Sequence, residues 1–539
     1  MAEHPKPNRL LQGTLILTVA GMVVKVIGSL NWIILSRVLG GEGIGLYQMA
    51  FPIYLLALSV SSAGIPVAIS IITAEKVALK DYSGSKRVFK LSMGILAVTG
   101  LLLSLLVYFG AGWLIGHQII RDSRAYYAIQ ALSPAIFLVT ILSSFRGYLQ
   151  GWQIMTPTAV SQIAEQIFRV GAMLFFAMLL LPRGIEYAAG GASMGAGAGA
   201  AAGLLVLLYY YWRLEKQQND FADSAVAAEK NHEPVISMVR RIVKLALPVS
   251  LASIMLPLVA NLDLLIVPLR LEAAGYTVEQ ATELFGYLTG MAVPLVNLAT
   301  MATAALATSI VPAVSEAAVT GNMREIQQRT ATAMRFANLV TIPAAVGLWV
   351  LAEPIATFVY HAPQASQVVR VLSFGVYLLG IHQVTTGVLQ GMGHAVLPVI
   401  NMGVAAVIKV VFNYYLTAVP SLGISGAGWA TNADLGVAAL LNYYFVCRYT
   451  GFQMDRKTLG KYLLAAAIMG ICIDFLHLVT IKQGIGDAEA TLLLIILAML
   501  IYTISVILLG AVNEQELKRI PVVGAVLHRL FWRFGLNKN

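Results

Sequence analysis

From residue 11 to residue 511 the chain is crossed by apolar runs, most of them long enough, at about twenty residues or more, to cross a bilayer as helices. In lipid every backbone amide must find its partner within the protein, so only helices and closed barrels span membranes. Barrel strands alternate in polarity over about ten residues. These runs are continuous and longer, so the sequence predicts an all-α polytopic membrane protein. Only 12% of the residues are charged, well below the soluble-domain average of about 25%. The net charge of +10 would point to nucleic acid in a soluble protein. Here the cations sit in short loops and read as membrane orientation, and no nucleic-acid partner is expected.

Fourteen transmembrane helices are expected, near 12–36, 45–73, 91–115, 125–146, 157–181, 185–211, 244–268, 283–311, 333–357, 368–391, 396–418, 423–446, 459–480 and 488–511. With the N-terminus inside, 26 of the 36 lysines and arginines fall in cytoplasmic segments, 7 fall outside and 3 lie within spans. Cytoplasmic loops carry such an excess, and one missed helix would invert every later loop. Both termini are therefore expected to be cytoplasmic. The first eleven residues read as a short basic lead rather than a cleaved signal peptide. Cys447 and Cys472 have no metal or disulfide spacing and read as small core residues.

The chain repeats itself. Arg-Gly-Tyr-Leu-Gln-Gly (146–151) returns as Thr-Gly-Val-Leu-Gln-Gly (386–391), and Met-Ala-Phe-Pro (49–52) returns as Met-Ala-Val-Pro (291–294). Glu75 matches Glu316, and Arg169 matches Lys409. The offsets are 240 to 242 residues. Six helices per copy give both copies the same topology, so two six-helix lobes related by a pseudo-two-fold along the membrane normal are expected, followed by two further helices. The expected division is an N-lobe at 1–211, a cytoplasmic linker at 212–241, a C-lobe at 242–446, two helices at 447–511 and an amphipathic tail at 512–539 lying on the inner leaflet. Gly191, Gly195, Gly199 and Gly203 form a ladder along one helix face and are expected to admit a neighbouring backbone.

A charge at mid-membrane costs about 2.5–3.5 kcal/mol on insertion scales. Lys25, Arg169 and Lys409 therefore need an explanation. One reading is a solvated cavity that binds an anion; the other is a structural ion pair, which Glu165, one turn before Arg169, offers directly. Lys25 and Lys409 have no acid in their own helices, and Asn413 shares the face of Lys409. Arg146 and Arg270 stand at helix ends, as interface anchors or as part of the site; Asp263 shares a face with Arg270. The substrate-binding candidates are Lys25, Arg169, Lys409, Arg146, Arg270, Asn413 and Glu165. The remaining embedded acids, Asp434 and Asp474, are scattered. No phosphate-binding G-x-x-x-x-G-K-[ST] loop, metal-ligand cluster, nucleophile triad or selectivity-filter repeat occurs, so no enzyme, resident cofactor or channel is expected. What remains is a secondary transporter with a cavity of positive sign, and coupling to Na⁺ or H⁺ stays open.

Asn-Trp-Ile-Ile-Leu-Ser-Arg-Val-Leu-Gly (31–40), Gly-Leu-Tyr-Gln-Met-Ala (45–50), Phe-Arg-Gly-Tyr-Leu-Gln-Gly (145–151) and Ile-Val-Pro-Ala-Val-Ser-Glu (310–316) carry a resemblance across nearly the whole chain. The chain resembles the polysaccharide-export branch of the multidrug/oligosaccharidyl-lipid/polysaccharide superfamily, and within it the lipid II flippases of Gram-positive bacteria. The resemblance implies a bacterial cytoplasmic-membrane flippase that moves an undecaprenyl-diphosphate-linked saccharide outward by alternating access. It also implies a groove for the lipid tail formed with the last two helices, membrane lipids as neighbours, and cell-wall synthesis enzymes as candidate partners. Essential cations of the first helix in those flippases fall on Lys25 and near Asn31, which is uncharged here. The alternatives are a Na⁺- or H⁺-coupled multidrug exporter of the same superfamily and a non-transporting scaffold for cell-wall enzymes. The exporter wants acids in its cavity, and the scaffold would tolerate neutralised Lys25.

Overall fold

The computed structural model describes residues 7–62, 64–222, 234–482 and 487–511. The expected tail at 512–539 and the middle of the expected linker, 223–233, lie outside these residues. Among the described residues the chain is helix and turn, with no strand. In order the helices are α1 (Pro7–Ser62), α2 (Ile65–Ala78), α3 (Tyr82–Gly116), α4 (Tyr126–Gly151), α5 (Thr156–Leu180), α6 (Ile185–Ala222), α7 (Val235–Ala273) and α8 (Val278–Gly286). Then follow α9 (Val293–Ala299), α10 (Met301–Val319), α11 (Met323–Val350), α12 (Ala352–Tyr360), α13 (Ser366–Gly391), α14 (Val396–Leu416), α15 (Ile424–Thr450), α16 (Arg456–Lys482) and α17 (Asp487–Leu508).

Twelve segments among the described residues are long and apolar enough to cross a membrane, and the first, Val19–Ala78, has 60 residues, enough for two passes. It covers the first two expected spans. The twelfth expected span falls on α15, which is long but less apolar because it carries Asn432, Asp434 and Asn442. The all-helical polytopic class stands.

The expected loop between the first two spans is a single break. Helix α1 runs through residues 37–44 and departs from helical geometry at Gly40, φ 64°. That backbone region is costly for side-chain-bearing residues and open to glycine. The segment expected as a linker is helical on both flanks, since α6 extends to Ala222 and α7 begins at Val235. Residues 213–218, Arg-Leu-Glu-Lys-Gln-Gln, are all good helix formers.

Contacts divide the chain into two compact units, Met1–Gly290 and Met291–Asn539. Helices α7 and α8, which open the second sequence repeat, pack within the first unit. The chain passes from one unit to the next through a π-helical turn at Tyr287–Ala292. Its sequence explains it. Gly45 and Gly286 are 241 residues apart, whereas Met49 and Met291 are 242 apart. The second copy therefore carries one extra residue between these points, and a π turn is the helical device that absorbs one.

The repeat is visible inside each unit as matching geometry. Helices α4 and α13 begin and end at positions 240 residues apart. Asp81 caps α3 by accepting from the Gly84 amide at 2.7 Å; Asn322 caps α11 by accepting from the Glu325 amide at 3.2 Å. A side chain at Gly147 would strike the Pro66 carbonyl, and one at Gly387 would strike the Ala307 carbonyl. At one crossing the partners have changed places. Gly100 of α3 faces Thr140 of α4 in the first unit, and Thr341 of α11 faces Gly380 of α13 in the second. The same close approach survives because a glycine is kept on one side or the other.

The ladder of α6 lies on α5. A Cβ at Gly191 would be 2.5 Å from the Phe176 carbonyl oxygen; at Gly195, 2.7 Å from that of Arg169; and at Gly199, 2.5 Å from that of Glu165. A Cβ at Gly203 would meet Leu142 at 2.8 Å. Three rungs thus touch the backbone of α5 directly. At the far end of the first unit, Arg121 grips Glu272 of α7 through Nε at 2.8 Å and Nη2 at 2.6 Å. Beside it, buried Asp122 accepts from Arg124 Nη2 at 2.7 Å and from the Thr282 hydroxyl of α8 at 2.8 Å, and Arg124 also reaches Glu42 of α1. Below this layer α1 and α8 meet at the repeat-equivalent glycines: a Cβ on Gly286 would lie 2.1 Å from the Gly41 oxygen and 2.7 Å from the Gly45 nitrogen.

Substituting Gly199 by alanine is expected to lower stability by about 1–3 kcal/mol, the range for overpacking a tight contact. Gly197→Ala, on the same helix with nothing within 4 Å of its Cβ, serves as the control. Thermal unfolding of the two purified variants in detergent checks this; equal midpoints would contradict the packing described.

Candidate functional site

The sequence places Arg146 near the end of α4 and Ser161, Glu165 and Arg169 one turn apart on one face of α5. Helix α6 meets α5 at these same residues, where Gly199 lies against the Glu165 carbonyl and the Arg169 Cβ, and the Glu165 side chain reaches on to Arg146 of α4. Glu165 accepts from Arg146 Nη2 at 2.8 Å and from Arg169 Nη2 at 2.6 Å, one guanidinium on each carboxylate oxygen. Arg146 Nε also donates to the Ser161 hydroxyl at 3.1 Å. The three charged side chains are 17%, 13% and 23% exposed in the order Arg146, Glu165, Arg169. Tyr47 and Tyr54 of α1 lie beside Arg169. The Arg169 Nε is buried with no hydrogen-bond partner. The cluster carries two positive charges and one negative charge, with a donor to spare.

Lys25 lies on α1, exposed, with no ion pair among the described residues. Its helix runs alongside α5: Gly28 faces the Gln166 amide, and Asn31 donates to the Met173 thioether at 3.0 Å. Numbers rise together in both helices, so they are parallel here. At about 1.5 Å of rise per residue, these two contacts place Lys25 within about 3 Å of the level of Glu165. Asn31 is buried and packs against α5 through its contact with Met173.

In the second unit Lys409 is 7% exposed and Asn413 is buried one turn beyond it on α14. The repeat places Thr386, Asn401 and Ala405 where the first unit has Arg146, Ser161 and Glu165. A neutral network occupies this frame. Asn401 donates to Asn442 of α15 at 2.8 Å, and Asn442 donates to Thr386 of α13 at 2.9 Å and contacts His382 Nδ1 at 3.2 Å. In the first unit Glu165 joins α5 directly to α4, whereas in the second Asn442 of α15 bridges α14 and α13.

Arg270 stays apart. It lies near the C-terminal end of α7, beside Glu272, whose partner Arg121 precedes α4. Arg146 is about 30 Å along α4 from its start at the helical rise. Asp263 and Arg270 both have interaction partners in the structure. Among the described residues no group of His, Cys, Asp and Glu could hold a metal ion. Reading the sequence missed Ser161, Tyr54 and the His382–Asn442 network. The 240-residue offset could have found Asn401 opposite Ser161; the tyrosines, on a distant helix, left no signal.

The model for the family described as polysaccharide biosynthesis protein matches residues 10–318, more than half of the chain. Stage V sporulation protein B of Bacillus subtilis is 31% identical over 96% of this chain and 99% of its own. The chain belongs to the polysaccharide biosynthesis protein family. That family places it among the membrane transporters of the multidrug/oligosaccharidyl-lipid/polysaccharide superfamily, and the MatE family model also matches residues 289–415. Lipid II flippase MurJ of Bacillus subtilis is 27% identical over 91% of this chain and 93% of its own. Among solved structures, a lipid II flippase MurJ in an inward closed conformation has the same fold, with a TM-score of 0.68 at 15% identity over 91% of this chain and 98% of that one.

Leaving one member of a buried ion cluster uncompensated costs about 3–5 kcal/mol, more than the intact cluster is worth. Arg146→Ala and Glu165→Ala are each expected to lower stability in that range, and the double variant by clearly less than their sum. A thermal-denaturation double-mutant cycle reads the coupling; strict additivity would mean the 2.8 Å contact carries no weight.

Proposed function

We propose that this protein is a flippase that moves an undecaprenyl-diphosphate-linked sugar, lipid II or a related cell-wall or polysaccharide precursor, from the inner to the outer leaflet of a bacterial cytoplasmic membrane by alternating access. The observation that carries the reading is the sign of the charge. Around one carboxylate stand two guanidinium groups, with exposed Lys25 at nearly the same depth on the adjacent helix. A diphosphate carries up to two negative charges near neutral pH, arginine donates to it through a planar fork and lysine acts as a point charge. The name of one Bacillus relative, lipid II flippase MurJ, supports the same class of cargo. An inside-negative potential favours outward movement of an anion by about 2.3 kcal/mol per charge per 100 mV.

The MatE match favours a second reading, a cation-coupled exporter. Both oxygens of Glu165 are taken by arginines, so this acid offers a cation nothing in the arrangement described. The flippase is the better fit. Both termini are proposed to be cytoplasmic on the lysine and arginine bias.

In a flippase-deficient bacterium, Lys25→Ala is expected to abolish complementation while the protein remains in the membrane at wild-type amounts. Lys409→Arg is expected to grow better than Lys409→Ala. Full complementation by Lys25→Ala would remove the anion site and favour a scaffold; equal defects in the two Lys409 variants would assign that residue to packing.

A further inference from the structure

We propose that Glu165 is a built-in counter-ion which occupies Arg169 while the site is empty and which an incoming diphosphate displaces. The inference rests on the flippase reading and says how the same site is kept and released.

Three observations support it. Glu165 divides its oxygens between two arginines, so each guanidinium receives a single carboxylate contact rather than a paired one. Arg146 has a second acceptor in Ser161 at 3.1 Å, whereas the Arg169 Nε is buried with none. A carboxylate has two oxygens and a diphosphate has more. A ligand able to meet both edges of Arg169 therefore completes a hydrogen-bonding set that Glu165 leaves short. Unpartnered buried donors carry a free-energy penalty, and removing it favours the exchange.

In the second unit Ala405 stands at the position of Glu165, and Asn442 of α15 bonds Asn401 at 2.8 Å and Thr386 at 2.9 Å. The carboxylate between two cations is thus particular to Glu165 of the first unit. Its position suits a placeholder. The side chains are mostly covered, 13–23% exposed. With Glu165 between them the repulsion of the two arginines is offset, and the cluster keeps a net charge of one. Glu165 stays with Arg146, which also holds Ser161, when Arg169 turns to the ligand.

A competitor that holds the site in about nine-tenths of molecules weakens apparent affinity about tenfold, and removing it restores that factor. Purified full-length protein in detergent is titrated with farnesyl diphosphate, inorganic pyrophosphate and farnesol. Glu165→Gln is expected to bind farnesyl diphosphate about tenfold more tightly than wild type. A gain with farnesyl diphosphate exceeding that with pyrophosphate supports displacement by a lipid-borne diphosphate. A gain of equal size with pyrophosphate supports displacement by the diphosphate group alone. The gain should vanish in Arg169→Gln/Glu165→Gln. Equal affinities in wild type and Glu165→Gln, a gain that persists without Arg169, or an equal gain with farnesol would each overturn the proposal. If Glu165→Gln does not accumulate, Glu165→Asp decides: its shorter side chain cannot span both arginines and should give a smaller gain, and no gain overturns the idea. Absence of lipid-linked sugar transport in proteoliposomes alongside intact binding would defeat the flippase reading and leave the counter-ion standing.

Discussion

A guanidinium in a membrane must be given a partner, and this requirement organises the first unit. Arg146 and Arg169 come from different helices, and Glu165 is the atom group that lets both stand in one place. The cluster is worth little as glue, since the desolvation of three charges consumes most of their attraction. Its consequence is positional. Helix α4 must present Arg146, α5 must present Glu165 and Arg169 in one turn, and α1 must bring its tyrosines alongside.

Close packing of backbones makes this possible. With lipid on the outside there is no hydrophobic drive between helices, and small residues let backbones approach instead. The glycines of α6 hold α5 at the residues that carry the cluster. The glycines of α1 and α8 meet at the opposite end of the unit, under the ion pairs of Arg121, Asp122 and Arg124. Gly40 and the π turn at Tyr287–Ala292 lie next to that second contact. Regular helix, fixed by glycine, thus alternates with single irregular residues where the chain changes direction.

Much of this was legible from residue spacing. Apolar run length gave the helical class because a bilayer has one thickness. The repeat appeared as short words 240 to 242 residues apart, and the structure returns it as equivalent caps, carbonyl contacts and a Gly–Thr crossing with its partners exchanged. The Glu165–Arg169 pair followed from helical periodicity alone. What escaped notice depends on distant elements. Arg146 read equally as an interface anchor or a site residue, because nothing local shows that α4 ends against Ser161 and Glu165. Arg270 looked equivalent to it, yet belongs to the other end of the unit. The continuity of α1 past residue 37 was hidden because one glycine interrupts it where charged residues suggested a loop. Replacement of ions by amides in the second unit became visible only once α15 was seen to reach Asn401.

The two units thus share a frame and differ in charge, and that asymmetry suits a carrier of an anionic headgroup whose lipid chain remains in the bilayer. The most direct measurement compares two labelled lipids in proteoliposomes containing the purified protein: an undecaprenyl-diphosphate-linked saccharide and the same saccharide on an uncharged undecaprenyl chain. Protein-dependent translocation of the diphosphate lipid alone is the result this account predicts. Equal translocation of the uncharged lipid, or none of either, would contradict it.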